Sequence, residues 1–240
     1  MLKKNLLVVA LASAFAMPAM AETTFSSNVG LVSDYLYRGI SQTGTGPAIQ
    51  GGFDLSDSSG VYAGVWASSI SWLSDAGIAD NAGTEIDTYV GYKGAAGDVG
   101  YDVGFLRYNY PGEYGTAVKA DTNEIYGAVS YSIVTAKLSY SLGDLFGVAD
   151  AKGSTYAEVN VSYPVADTGV TVGAHYGKQS YKGANSTGLT YSDYKLSVTK
   201  DFSGYVVGAA YSNTNAGALY TVLGNELGKS TVVLSLTRAM

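Results

Sequence analysis

Hydrophobic and polar positions alternate along this chain with a period of two. From residue 86, positions 86, 88, 90 and 92 are Ile, Thr, Val and Tyr, while 85, 87, 89, 91 and 93 are Glu, Asp, Tyr, Gly and Lys. The same split recurs with Ala157, Val159, Val161 and Tyr163 against Tyr156, Glu158 and Asn160. It recurs again with Val170, Val172, Ala174 and Tyr176 against Thr171, Gly173 and His175, and with Tyr194, Leu196 and Val198 against Asp193, Lys195 and Ser197. Period two puts one set on each face of an extended strand, so each segment has an apolar face and a polar face. Segments of about ten residues built this way, with no apolar run of eighteen, predict a transmembrane β-barrel rather than a helical membrane protein.

Turn chemistry sets the strand number. Short turns are expected at 57–60, 95–98, near 133–135, at 164–169 and at 201–204, recurring about every 35 residues, the length of a tall hairpin with its loop. Longer polar stretches separate them at 39–46, 73–83, 111–121, 143–153, 182–188 and 213–229. Five short turns and six long loops make eleven connections. The expectation is twelve antiparallel strands, an even number, with both chain ends on the short-turn side, facing the periplasm.

Composition separates a barrel from a soluble sandwich, which also alternates. Of 240 residues 31 are Gly and 21 are Tyr, and only 14% are charged. The polar face therefore mixes Gly, Ser and Tyr with few lysines. Tyr92, Tyr131, Tyr140, Tyr163, Tyr176, Tyr194, Tyr205 and Tyr211 fall near strand ends, where interfacial aromatic girdles are expected. There is no Cys and a single His, which leaves no thiolate chemistry and little room for a zinc site; no metal or cofactor is expected.

The amino terminus reads as a leader. Lys3 and Lys4 precede an apolar stretch from Leu6 to Met17, and Ala19-Met20-Ala21 fits an A-x-A cleavage site. The expected organisation is a signal peptide over residues 1–21 and a barrel over 22–240. Loss of two of the 14 basic residues leaves 12 against 20 acidic ones, a balance that argues against nucleic acid as a partner.

The stretch Ser33-Asp34-Tyr35-Leu36-Tyr37-Arg38-Gly39-Ile40-Ser41-Gln42, followed by Pro47-Ala48-Ile49-Gln50-Gly51-Gly52-Phe53-Asp54, resembles the opening signature of the TorF-type family of proteobacterial porins. Further similar segments are 60–66, 85–94, 97–104 and 191–195, so the likeness runs over essentially the whole mature chain. The resemblance implies an outer-membrane barrel with porin activity. The chain departs from the common pattern of outer-membrane proteins at its end, which reads Leu234-Ser235-Leu236-Thr237-Arg238-Ala239-Met240 instead of closing on Phe.

A charge facing lipid costs roughly 2–4 kcal/mol at the bilayer midplane, so charges on the polar phase should face the lumen. The candidate pore-lining residues are Asp34, Arg38, Asp54, Glu85, Asp87, Lys93, Asp102, Glu124, Lys137, Glu158, His175, Asp193 and Lys195. Acidic candidates outnumber basic ones, which suggests a weakly cation-preferring lumen with charges paired across neighbouring strands. Arg107 breaks parity with Tyr101, Val103 and Phe105, so a bulge or a strand end is expected there.

Three motifs are weak. Gly224 to Ser230 lacks the spacing of a phosphate loop, Asn185-Ser186-Thr187 is a chance glycosylation match, and Asp75, Asp80, Asn81 and Glu85 read as a solvated loop before a calcium site. The expected function is passive diffusion of small hydrophilic solutes, without enzymatic activity. The expected partners are outer-membrane lipid, small polar solutes and the barrel-assembly machinery, with a monomer or homotrimer both open. Alternatives are an occluded barrel serving as a structural protein or adhesin, or a hydrolase using His175 as a general base.

Overall fold

The computed structural model describes residues 23–240; the expected leader over 1–21 lies outside the described residues. Sixteen strands follow one another: β1 (Thr24–Val32), β2 (Leu36–Tyr37), β3 (Ile40–Ser41), β4 (Ala48–Ser56), β5 (Val61–Ser69), β6 (Thr84–Ala96), β7 (Val99–Asn109), β8 (Thr122–Tyr131), β9 (Val134–Ser141), β10 (Thr155–Val165), β11 (Val170–Ser180), β12 (Tyr191–Phe202), β13 (Tyr205–Thr214), β14 (Thr221–Val222), β15 (Asn225–Glu226) and β16 (Thr231–Ala239). Twelve of them close into one antiparallel barrel in the order β1-β16-β13-β12-β11-β10-β9-β8-β7-β6-β5-β4. The remaining four form the small hairpins β2-β3 and β14-β15 inside long loops.

Closure comes from pairing the first barrel strand with the last. Val29 lies opposite Arg238 and Leu31 opposite Leu236, while the other side of β1 runs against β4 from Thr24↔Ser56 to Val32↔Ala48. No edge of the twelve-strand barrel is left unpaired, as a bilayer without water requires of any spanning sheet. The five short turns lie where the turn chemistry puts them. In the first, the Gly60 amide donates to the Asp57 carbonyl at 2.9 Å and the Ser59 amide to Asp57 Oδ1 at 2.8 Å. Hydrogen bonds from Ser59, its hydroxyl first and then its amide, hold the Asp57 carboxyl below the usual carboxylate range. At 203–204 both turn residues adopt positive φ, 57° for Ser203 and 91° for Gly204, the twist that suits a two-residue hairpin.

The outer wall is apolar and bare. Leu138, Leu196 and Leu234 are each more than half exposed, which is tolerable only against lipid. All eight tyrosines expected in the girdles are exposed: Tyr92, Tyr131, Tyr163 and Tyr205 near the short turns, and Tyr140, Tyr176, Tyr194 and Tyr211 toward the long loops. Arg107 resolves in favour of the strand end. The β7 ladder runs unbroken against β6 and β8, without a bulge, and Arg107 sits at its loop end with Asp121 at 3.1 Å, Asn109 at 2.6 Å and Asn123 at 3.2 Å.

Inside, glycine and tyrosine alternate between neighbouring strands. A methyl group at Gly64 would strike the Tyr89 ring, one at Gly104 the Tyr126 ring, and one at Gly177 the Tyr156 hydroxyl. The missing Cβ atoms make room for rings that lie against the wall. Twelve-strand barrels are narrow, so this packing decides how much lumen remains.

Candidate functional site

The loop over residues 33–47 turns into the barrel instead of away from it. Asp34 is buried and accepts hydrogen bonds from the Ser41 hydroxyl at 2.6 Å and the Thr43 hydroxyl at 3.2 Å, which tie the loop to itself. Burial pushes the Asp34 carboxyl up, and those two hydroxyls oppose the shift. The loop's β2-β3 hairpin presents Arg38, in the left-handed region at φ 48°, to the far wall. Its guanidinium meets Glu124 of β8 at 2.7 Å and Gln179 of β11 at 2.6 Å, and stacks over the rings of Tyr37 and Tyr156 at 4.8 and 4.3 Å. Tyr37 donates to Tyr108 at 2.7 Å, and Tyr108 to Glu124 at 3.2 Å. Asp34 and Arg38 are therefore plug residues rather than wall residues.

Apolar side chains seal the loop end of the barrel above this contact. Tyr35, Ile70, Leu73, Tyr110, Tyr114 and Ala120 form one buried cluster drawn from three long loops, with Trp72 and Phe146 packed against it. Leu73 belongs to a single helical turn, α1 (Trp72–Asp75), held over the mouth by the Ser71 and Trp72 amides donating to the Gln42 carbonyl at 2.8 and 3.2 Å. Asp75, Asp80, Asn81 and Glu85, expected to form a solvated loop rather than a calcium site, do not converge on one point. Asp75 accepts from the Ser71 hydroxyl, the Asp80 backbone pairs with Glu113, Asn81 also turns to Glu113, and Glu85 points into the barrel.

Below the plug, the short-turn half of the lumen is polar and only partly covered. Asp54 accepts from the Tyr89 hydroxyl, Asp102 from the Tyr62 hydroxyl at 2.6 Å, and Tyr62 bonds Tyr126 across the strands. The register sets Lys93 beside Asp102 and Lys137 beside Glu158. Those pairs do not close into ion pairs within 4.0 Å; the ammonium groups lie over the Tyr62 and Tyr126 rings at 5.5 and 4.2 Å. The expected charge pairing thus gives way to aromatic faces in this half. His175 instead sits in a hydrogen-bonded cluster: its Nδ1 contacts Asn160 Oδ1 at 2.7 Å and lies 3.6 Å from Glu158, and its Nε2 contacts Asp193 at 2.9 Å and Tyr156 at 3.0 Å. Both ring nitrogens are engaged, and no Ser or Thr hydroxyl bonds to the ring among the described residues. Lys195 lies beside His175 across β11 and β12. Glu85 and Asp87 face inward from β6 but are sealed beneath the loop cluster, with 0% and 8% of their surface exposed.

Parity could have found Gln179, two residues beyond Gly177 on the same face of β11. The lumen tyrosines had a signal too, a Tyr on the polar phase beside a Gly on the next strand, which the girdle positions overshadowed.

A closed, lipid-faced barrel with a polar interior defines a transmembrane β-barrel protein. The chain belongs to a bacterial family described as "Bacterial protein of unknown function (Gcw_chp)", whose model matches residues 16–240. In bacteria such single-chain barrels lie in the outer membrane, and this one is an outer-membrane barrel. Among solved structures it is similar to the KdgM porin, at a TM-score of 0.56 and 6% identity over 89% of this chain and 97% of that one. It is likewise similar to "KdgM porin in complex with disordered oligogalacturonate", at 0.52 and 6% over 90% and 98%. The likeness is one of fold. No curated protein sequence matches the chain.

Proposed function

We propose that the protein is a porin-like channel through which small hydrophilic solutes diffuse passively, with a weak preference for cations. The observation that carries the reading is the construction of the obstruction. The polar interior of the short-turn half ends against an inward loop, held to the far wall by a single ion pair and its hydrogen bonds, with the apolar cluster of three long loops above it. The resemblance to TorF-type porins and the fold shared with KdgM support it. Oligogalacturonate is a polyanion, whereas here Asp54, Asp102, Glu158 and Asp193 outnumber Lys93, Lys137 and Lys195, a balance that favours neutral or cationic solutes. Residues 1–21 act as the export leader, and the barrel-assembly machinery inserts the rest as a monomer or a homotrimer. The buried apolar cluster at the mouth favours a second reading, a permanently occluded structural barrel.

Liposome swelling separates the two. Proteoliposomes holding the folded barrel should admit neutral monosaccharides faster than trisaccharides, and lysine faster than glutamate. Swelling no faster than that of empty liposomes for every solute would refute the channel.

A further inference from the structure

Charges in the twelve barrel strands divide by sign between the two faces. Among the described residues, no carboxylate of these strands lies on the outward phase, whereas Arg107, Lys178, Lys200 and Arg238 all do. Arg107 is met by Asp121 at 3.1 Å; the other three have no acidic group within 4.0 Å among the described residues. Lys200 and Arg238 share the short-turn end of the wall. Lys200 continues the outward row of Leu196 and Val198 on β12, and Arg238 that of Leu234 and Leu236 on β16, with β13 between them. Tyr205 of β13 lies opposite Phe202 on one side and Arg238 on the other. Lys200 Nζ sits over the Phe202 ring at 5.2 Å, while the Arg238 guanidinium sits over the Tyr205 ring at 4.6 Å and donates to the Ser203 carbonyl at 2.9 Å. Two cations and two exposed rings thus gather where the bilayer meets the periplasm.

An apolar groove on the outer wall adjoins this patch. Its sides are Leu31 of β1, Val207 of β13, and Leu234 and Leu236 of β16. Arg238 lies opposite Val29 and Leu236 opposite Leu31, so the groove starts one outward position beyond the guanidinium and runs toward the long loops. A cation on the lipid face is tolerated at the interface, where its stem lies along hydrocarbon and its head reaches the phosphate layer. We propose that Lys200 and Arg238 bind the headgroup phosphate of an anionic glycerophospholipid in the periplasmic leaflet, with an acyl chain along the groove. Two strand spacings, roughly 10 Å, separate the two backbones, and the rings on which the cations rest stand on adjacent strands between them, which narrows the gap. Two uncompensated cations select a headgroup of net negative charge over a zwitterion, whose own ammonium they would repel. A second copy of the chain fits less well, because its wall would bring further cations and no strand carboxylate to meet them. This site lies outside the lumen and holds whether or not the pore conducts.

A reporter at the patch tests it. Trp66 and Trp72 pack against the loop cluster inside the barrel, so a tryptophan introduced by Tyr205→Trp is the one that faces lipid, and it keeps a ring beneath Arg238. The folded barrel is reconstituted into mixed phosphatidylglycerol and phosphatidylcholine vesicles, with brominated chains on one lipid or the other as quencher. A cation near an anionic surface is worth about fivefold in affinity, so the binding constant for phosphatidylglycerol relative to phosphatidylcholine at this site should be at least fivefold. It should fall to near one in Lys200→Gln/Arg238→Gln and stay unchanged in Lys93→Gln, whose ammonium faces the lumen. Lys200→Gln alone, which leaves the Arg238 stack in place, should lower the preference too, a readout that stands should the double variant not fold. A ratio near one with Tyr205→Trp alone, or an equal ratio after Lys200→Gln and after the double change, would overturn the lipid site. Weak quenching by both lipids would overturn it as well, since a second copy would then cover the patch.

Discussion

Arg38→Ala should unlatch the inward loop. The guanidinium is the only cation within 4.0 Å of Glu124 among the described residues, and both side chains are nearly fully buried, at 7% and 3% exposure. Removing one partner of such a pair strands the other charge, at a cost of about 3–5 kcal/mol. At 1.4 kcal/mol per tenfold, that shifts the balance between docked and undocked loop by roughly a hundredfold to several thousandfold. The hydrogen bond to Gln179 and the stacking on Tyr37 and Tyr156 disappear as well. In a planar bilayer the variant should open more often and conduct more per opening than the wild type. Arg38→Met/Glu124→Leu, which removes both charges and keeps bulk, should return toward the wild-type record, because the cost lies in the stranded carboxylate. Equal conductance and dwell times in wild type and Arg38→Ala, both confirmed as folded barrels, would refute the latch.

Other consequences are as specific. Leu196→Arg, on the lipid face, should lower folding stability in bilayers by about 2–4 kcal/mol, whereas Thr135→Arg, on the lumen face, should cost much less; equal denaturant midpoints would show the faces misassigned. Gly104→Val should displace the Tyr126 ring and cost about 1–3 kcal/mol by overpacking, and Gly104→Val/Tyr126→Ala should recover part of it; a single variant as stable as wild type would contradict the close packing. Asp54→Asn/Asp102→Asn removes two carboxylates from the partly covered half of the lumen and should move the reversal potential in a KCl gradient toward zero, an unchanged potential assigning selectivity elsewhere.

The barrel was legible in the sequence because a bilayer imposes period two on every spanning strand. The alternation around Glu85, Glu158, His175 and Asp193 assigned faces that the ladder reproduces, and turn residues such as Asp57 and Gly60 or Ser203 and Gly204 fixed the hairpins. The plug was not legible. Asp34 and Arg38 share one parity, which reads as a wall position on a strand, and only tertiary contacts of Arg38 with Glu124 and Gln179, 86 and 141 positions away, turn the segment inward. The same holds for Glu85 and Asp87. Parity pointed them into the barrel, but the cluster that seals them adds Tyr35, Tyr110, Tyr114 and Ala120 from two other loops to the loop that leads into β6. Tyrosine was legible only in half, since the outward rings follow from their position at strand ends and the inward rings from glycine vacancies on adjacent strands.

Single-channel recording of the mature protein in a planar bilayer under a KCl gradient tests the central claim most directly. Discrete steps with a reversal potential on the cation side are the predicted result. A correctly folded barrel that stays silent, in wild type and in Arg38→Ala alike, would contradict it.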